Sequence, residues 1–133
     1  MKTKPSFAAA LGAAALLGAS AQQATAVEDE DLRFDSTEDL YSVCSVGAEA
    51  PEYPLANQAC RAFIEAAVQY HDAISDRKRL PRLICYPKSA TIQTGKDVFV
   101  AWAKTNAGNK KLMNELPVIG LVRSLENKYP CKK

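Results

Sequence analysis

Four cysteines constrain this chain of 133 residues more than any other feature of its sequence. They are Cys44, Cys60, Cys85 and Cys131. All lie downstream of a predicted secretory signal, which combines Lys2 and Lys4, an apolar run at 7–19, and small-residue A-x-A sites at 19–21 and 24–26. An even number of cysteines in a small exported domain indicates two disulfides, with three possible connectivities. No C-x-x-C motif is present, which argues against a zinc ribbon and a thioredoxin-type redox pair.

The signal divides the chain into three predicted parts. Cleavage after Ala26 gives a signal peptide (1–26), with Ala21 as the alternative site, and its apolar run is shorter than the ~20 residues of a membrane span. An acidic, flexible leader is predicted over 27–35, and one domain over 36–133; the alternative is that the leader folds on the more basic remainder. Cleavage leaves 15 basic and 15 acidic residues, so charge does not indicate a nucleic-acid partner.

The stretch from Cys60 to Ile74 predicts the central helix of a small all-α domain. Apolar or semi-polar side chains recur at helical spacing and form one face: Cys60, Phe63, Ile64, Ala67, His71 and Ile74. Burial stabilises by about 1.5–3 kcal/mol for each large apolar side chain, so this face is expected to dock against other helices. The preceding residues 47–57 are predicted to form a loop because they contain Pro51 and Pro54. Pro81 enforces the break after the helix.

Three further helices are predicted, which makes the domain an all-α bundle of about four helices stapled by disulfides. Capping residues at 36–39 start a short first helix that ends at Cys44. Thr91 caps a third helix that runs to about Lys104. Taken alone, the apolar run at 98–103 could be a buried strand instead. We favour the helix because of its length and its cap.

The fourth helix begins at Pro117 and has the clearest amphipathic pattern. If the third and fourth helices form an antiparallel hairpin, the start of one lies beside the end of the other, and Cys85 then lies next to Cys131. Likewise, Cys44 ends the first helix and Cys60 opens the second. The predicted disulfides are therefore Cys44–Cys60 and Cys85–Cys131.

One pair of residues is a candidate for catalysis. His71 and Asp72 form a His-Asp dipeptide on a helix, as in secreted phospholipases A2, but the glycine-rich calcium loop and the cysteine framework of those enzymes are absent. No second histidine, spare cysteine or Gly-x-Ser-x-Gly motif completes a nucleophilic site, and no further ligands complete a metal site. The sequence predicts no catalytic, metal or cofactor residues, and His71 is interpreted as a core or interface histidine.

Two connections are candidates for binding a protein partner. The basic loop, Arg77–Arg82, concentrates positive charge between the second and third helices and would suit an acidic partner; a simple solvated loop is the alternative. The polar connection between the third and fourth helices, 106–115, offers amide and lysine side chains for hydrogen bonds. The candidate contact residues are Arg77, Arg79, Asn106, Asn109, Lys110 and Lys111.

The third helix is apolar on two sides, around Val98, Val100 and Trp102. A helix of this kind is expected to be buried on both sides, by the core and by a partner subunit. The sequence therefore predicts a homodimer with this helix at the interface.

The cysteines lie in motifs that carry a family resemblance. The motifs are Cys44 at the end of the first helix, Cys60-x-x-Phe63-Ile64, Cys85-x-Pro87 before a Thr-started helix, and Leu125-x-x-x-Tyr129-Pro130-Cys131. Over roughly residues 40–133 the sequence resembles the Rap/Tai family of exported immunity proteins, which neutralise type VI secretion amidases directed at peptidoglycan. The resemblance implies an all-helical, disulfide-bonded, often dimeric periplasmic protein. Such a protein binds and blocks an enzyme and does no chemistry itself.

Two other function classes remain as alternatives to an immunity protein. One is a small helical periplasmic stress chaperone without an effector, which would expose apolar surface on acidification. The other is a hydrolase centred on His71. Binding of a hydrophobic dye at low pH would distinguish the chaperone from an immunity protein. An activity screen that compares the protein with His71→Ala would test the hydrolase.

Overall fold

The computed structural model describes residues 33–132, so the predicted signal peptide (1–26) and residues 27–32 of the predicted leader lie outside the described residues. Within the described range the chain is helical, with one isolated β-bridge and no strand. The helices are α1 Thr37–Cys44, α2 Tyr53–Lys78, α3 Ile92–Asn106, α4 Lys110–Met113 and α5 Pro117–Lys128. A small, disulfide-stapled all-α fold is thereby confirmed. No helix between residues 33 and 132 is long and apolar enough to cross a membrane.

Capping side chains set the starts of α1 and α3, as the sequence predicts. Ser36 Oγ accepts the N–H of Asp39 (3.2 Å), and the Asp39 carboxylate accepts the N–H of Ser36 (2.8 Å), which is a complete capping box. Thr91 and Thr94 form the same reciprocal pair at α3. The apolar run at 98–103 is helical, which confirms the choice of helix over strand.

The central helix α2 begins earlier than predicted. It starts at Tyr53, whereas the sequence analysis placed a loop over 47–57 and the helix start at Cys60; the predicted loop is wrong from Tyr53 onward. Pro54 lies in the first helical turn. A proline there loses no intrahelical hydrogen bond, because the N–H groups of the first turn have no partner, and its fixed φ suits the helix.

The core lies where α1, α2, α3 and α5 meet. Its buried side chains come from each of these helices, from α4 and from the segment before α3: Leu40, Cys44, Cys60, Ile64, Ile84, Phe99, Ala103, Met113, Leu121 and Leu125. The predicted face of α2 is fully buried at Cys60 and Ile64, which are 0% and 1% exposed. Further along, Ala67, His71 and Ile74 are half-buried. The C-terminal half of α2 therefore leaves part of its apolar face open.

The two disulfides have the connectivity that the sequence predicts: Cys44–Cys60 and Cys85–Cys131. Next to the second disulfide, the N–H of Cys85 donates to the carbonyl of Tyr129 (2.9 Å), and Ile84 pairs with Pro130 in an antiparallel bridge. These contacts fix residues 129–131, which follow α5, to residues 84–85, which precede α3. The end of α5 therefore lies beside the start of α3. This is the arrangement that the predicted antiparallel hairpin requires.

Helices α1 and α5 approach each other closely at Gly120. Thr37 is fully buried at the start of α1 and donates its N–H to the carbonyl of Glu115 (2.8 Å). Its hydroxyl lies within hydrogen-bond distance of the carbonyls of Glu115 (3.1 Å) and Leu116 (3.2 Å). A Cβ atom on Gly120 would lie only 2.4 Å from the Thr37 side chain. Glycine at this position therefore permits the contact that fixes the start of α5 on α1.

Candidate partner-binding surface

His71 fixes the segment that follows α2. Its Nδ1 lies 3.0 Å from the Asp72 carboxylate, and its Nε2 accepts the backbone N–H groups of Leu83 (3.2 Å) and Ile84 (3.4 Å). Because Nε2 is an acceptor, Nδ1 carries the proton and donates a hydrogen bond to Asp72. Both ring nitrogens are used within the chain, and the side chain is 9% exposed. This geometry supports the interpretation of His71 as a structural histidine.

Asp72 is the centre of the polar cluster around His71. It accepts hydrogen bonds from the Tyr86 hydroxyl and from Arg82 (3.0 Å), and Arg82 also donates to Asp76 (2.8 Å). Burial raises the pKa of the Asp72 carboxyl, but the hydrogen bonds from Tyr86 and His71 and the charge of Arg82 outweigh it and hold this pKa below its usual value. Burial and the bond to Asp72 raise the pKa of Tyr86 to about 12. At neutral pH the Asp72 carboxyl is therefore ionised, and it accepts hydrogen bonds from the neutral Tyr86 hydroxyl and from the Arg82 cation. It contributes to no group of three or more His, Cys, Asp or Glu that could hold a metal in the described part of the chain.

The predicted basic loop is partly helical: Arg77 and Lys78 form the end of α2, so the prediction of a loop is wrong for these two residues, and the loop begins at Arg79. The name basic loop is kept here for residues 77–82. Arg82 is engaged in ion pairs, but no carboxylate in residues 33–132 lies within 4.0 Å of Arg77, Lys78 or Arg79. Arg79 follows the helix in a left-handed conformation with φ of 51°, which turns the chain away from the helix axis. The structure thus places Arg77 and Arg79, both predicted contact residues, on an exposed surface.

The two asparagines predicted to contact a partner stabilise the local fold. The Asn106 side chain donates to the carbonyl of Trp102 (2.8 Å) at the end of α3. The Asn109 side chain accepts the N–H of Leu112 (3.3 Å) and caps α4. The predicted polar connection is therefore helical in its middle, and one hydrogen-bonding group of each asparagine is engaged within the chain. The sequence alone does not place these residues at helix ends, because α4 is too short to produce a periodic pattern.

The lysines of α4 are exposed next to apolar side chains. Lys110 Nζ lies 3.7 Å from the Glu38 carboxylate, at the long limit of a surface ion pair, and Lys111 has no such partner among residues 33–132. The chain then turns into α5 through two exposed apolar residues, Leu116 (63%) and Ile119 (43%). We name residues 110–119 the α4–α5 corner. It combines positive charge with apolar area.

An apolar groove lies between the C-terminal half of α2, the end of the basic loop and the start of α5. Its main lining side chains are Tyr70, Ile74, Leu80, Leu83, Val118 and Val122. Several of them are strongly exposed, including Tyr70 at 69% and Leu80 and Leu83 at 51% each. Exposed apolar side chains gathered in one groove make it a candidate interaction site. The sequence does not predict the groove. Its one signal of exposed apolar surface here is that the α2 apolar stripe continues to Ile74.

The face of α3 predicted to form a dimer interface is partly covered by the protein itself. Val98, Val100 and Trp102 are half-buried and contact the core, and Trp102 stacks on Phe99 with ring centroids 6.4 Å apart. The strongly exposed large hydrophobic residues of the described chain all lie outside α3. The predicted homodimer therefore has more apolar surface available on α2 and α5 than on α3.

Comparison with known families gives one match to this helical domain. A family model described as Rap1a immunity proteins matches residues 36–131. The matched region begins at the cap of α1 and ends at the last cysteine, so it contains all five helices and both disulfides. Searches among curated proteins and among solved structures give no match.

Proposed function

The chain belongs to the Rap1a immunity protein family, and from this we propose that it binds and blocks a cognate type VI secretion peptidoglycan amidase. The family match over residues 36–131 carries the proposal, because it spans the complete helical domain. Family membership indicates immunity against a secreted effector. The enzyme class comes from the resemblance of the cysteine-bearing motifs to the Rap/Tai proteins.

The two disulfides support action in the periplasm. Disulfides form and persist in oxidising compartments, of which the bacterial periplasm is one. Peptidoglycan lies in the same compartment, so an inhibitor located there meets the amidase where the enzyme acts. The predicted signal peptide (1–26) would deliver the chain to it. On this proposal the protein needs no cofactor and contacts neither nucleic acid nor, after cleavage, the membrane.

We assign the α4–α5 corner as the part that enters the amidase cleft. A cleft admits a short, protruding element more easily than the side of a long helix. The corner is also held rigidly, since Thr37 binds the carbonyl of Glu115 and Asn109 caps α4. A rigid element loses little conformational entropy on binding. Lys110 and Lys111 would then supply the charged contacts, with Asn106 and Asn109 acting mainly by shaping the backbone.

Lys110→Glu combined with Lys111→Glu is expected to abolish binding to the cognate amidase. The variant should also fail to protect cells in which the amidase is produced in the periplasm. Reversal of two charges at a contact surface places like charges together and costs several kcal/mol. Both lysines are exposed, so the melting temperature should change little. Calorimetric titration, cell survival and thermal melting measure the three effects.

The matched control is Lys104→Glu with Lys132→Glu, which changes the net charge equally at exposed positions outside the corner. It is expected to bind normally. If the α4 variant binds normally and Arg77→Glu with Arg79→Glu does not, the basic loop is the contact surface instead. If neither pair affects binding, neither the corner nor the basic loop is the contact surface, and the inhibitor proposal loses most of its support.

A further inference from the structure

We infer that the apolar groove binds an acidic amphipathic segment of the partner protein, together with Arg77, Lys78 and Arg79, which form no ion pair with residues 33–132. This second contact surface adjoins the α4–α5 corner, with which it shares Val118. The inference rests on the proposed function, because the partner is taken to be the effector. It adds the chemistry that the effector must present.

The polar groups in the floor of the groove are already engaged. Both ring nitrogens of His71 are hydrogen-bonded within the chain, and the Ser75 hydroxyl donates to the carbonyl of His71 (2.8 Å). The banks are formed by aliphatic side chains such as Leu83 and Val118, 51% and 38% exposed, with the Tyr70 ring beside them. The groove therefore favours apolar side chains and offers little to a polar ligand.

The open form of the groove favours a protein segment over a small molecule. Its volume of about 260 Å³ is close to the lower limit of about 300–1,000 Å³ for sites that bind drug-sized molecules, but such sites enclose most of the ligand. An open apolar groove bordered by helices suits the apolar stripe of an amphipathic helix, in which residues at i, i+3, i+4 and i+7 act as anchors.

The bank that carries Leu83 is held in place before any partner binds. The Leu83 backbone donates to His71, and the preceding Arg82 is fixed by Asp72 and Asp76 (3.0 and 2.8 Å). These bonds attach the segment to α2 at several points. Binding therefore needs little ordering of this bank, which lowers its entropic cost.

Charge selects among the possible occupants. Arg77, Lys78 and Arg79 immediately precede Leu80 of the groove, and no carboxylate among residues 33–132 pairs with them. Carboxylates on a partner would neutralise these cations, whereas lysines would be repelled. A second copy docked groove to groove would bring its own three cations to the same interface. Charge complementarity therefore favours an acidic partner over a second copy.

Two synthetic amphipathic peptides of equal length test this inference. Both carry the same leucine stripe, and their polar faces carry glutamate in one and lysine in the other. We expect the glutamate peptide to bind the oxidised, signal-cleaved protein at least about tenfold more tightly than the lysine peptide, which corresponds to 1.4 kcal/mol. Added salt should reduce this preference, because it screens exposed charges. Fluorescence anisotropy of labelled peptide measures both affinities.

Variants identify the surface that the peptide occupies. Leu83→Asp and Val118→Asp should each remove binding of the glutamate peptide, and the melting temperature confirms that they fold. Leu55→Asp is the matched control, because Leu55 is also exposed (38%) but lies outside the groove lining, and it should bind normally. Arg77→Glu with Arg79→Glu should reverse the preference toward the lysine peptide.

Several results would overturn the inference. Absent binding of the glutamate peptide, equal binding of both peptides, or normal binding to folded Val118→Asp would each do so. So would a dimer at tens of micromolar that Val118→Asp dissociates, since the groove would then hold a second copy. Tighter peptide binding after deletion of residues 27–32 would assign the groove to the chain's own acidic segment. The peptide assay contains no amidase, so these outcomes are distinct from failure of the proposed function.

Discussion

Reduction of the two disulfides is expected to unfold the helical domain. The bridged cysteines are 16 residues apart in Cys44–Cys60 and 46 apart in Cys85–Cys131. In the chain-entropy account, closing loops of these lengths stabilises the fold by about 3 and about 4 kcal/mol. The net stability of a domain is about 5–15 kcal/mol, so their combined loss removes half or more of it. Thermal melting by circular dichroism, with and without reductant, measures the effect.

Pairwise alanine substitution separates the two bridges. Cys85 is exposed and Cys131 half-buried, so their replacement removes mainly the cross-link. Cys44 and Cys60 are buried, at 2% and 0% exposure, so alanine there also removes core packing. The Cys44→Ala/Cys60→Ala variant should therefore lose at least as much stability as the Cys85→Ala/Cys131→Ala variant, although the loop that its disulfide closes is shorter. An unchanged, cooperative transition in full reductant would contradict this account of stability.

Gly120→Ala is expected to lower the melting temperature by at least about 4 °C, even though alanine favours a helix over glycine by about 1 kcal/mol. The new Cβ would lie 2.4 Å from the side chain of Thr37, which is fully buried and bonded to the carbonyls of Glu115 and Leu116. Either Thr37 rotates and leaves those bonds, or α1 and α5 separate. Overpacking costs about 1–3 kcal/mol and a lost buried hydrogen bond about 1 kcal/mol. Each kcal/mol lowers the melting temperature of a domain of this size by about 4–8 °C.

Other glycines supply matched controls for this substitution. A Cβ on Gly47 or Gly108 would meet no atom within 4 Å, and neither residue has positive φ, so alanine should be tolerated at both. Thr37→Ala removes the two closest atoms, so the double variant should be more stable than the sum of the single effects predicts, by at least about 0.5 kcal/mol. Strict additivity, or equal destabilisation by Gly108→Ala, would show that the α1–α5 contact is not the cause.

The starts of α1, α3 and α5 could be predicted because they depend on short-range signals, and the disulfide pairing follows from how these helices are arranged. Ser36 and Thr91 mark helix starts through their own hydrogen-bonding groups, and Pro117 marks the start of α5. The lengths of two helices then place the cysteines. The start of α2 could not be predicted, because a proline such as Pro54 is as compatible with a loop as with the first turn of a helix. The effect of proline depends on its position relative to the first turn, which composition does not give.

The candidate site could be predicted only in part, because its main features are non-local. The basic loop and the lysines of α4 are visible as charge in the sequence. The groove is not, because Leu83 and Val118 meet only through the packing of α2, the basic loop and α5. Gly120 is similar: the sequence shows a glycine within a helix, and only the fold shows that Thr37 occupies the space of its missing side chain.

Titration of amidase activity tests the central claim most directly. A candidate cognate amidase would be assayed on purified peptidoglycan while the oxidised, signal-cleaved protein is added in steps. We expect peptidoglycan cleavage to fall in proportion to the added protein and to stop near one inhibitor protomer per amidase active site. The inhibitor itself should be recovered intact. Full amidase activity in the presence of an excess of folded, disulfide-intact protein would contradict this expectation.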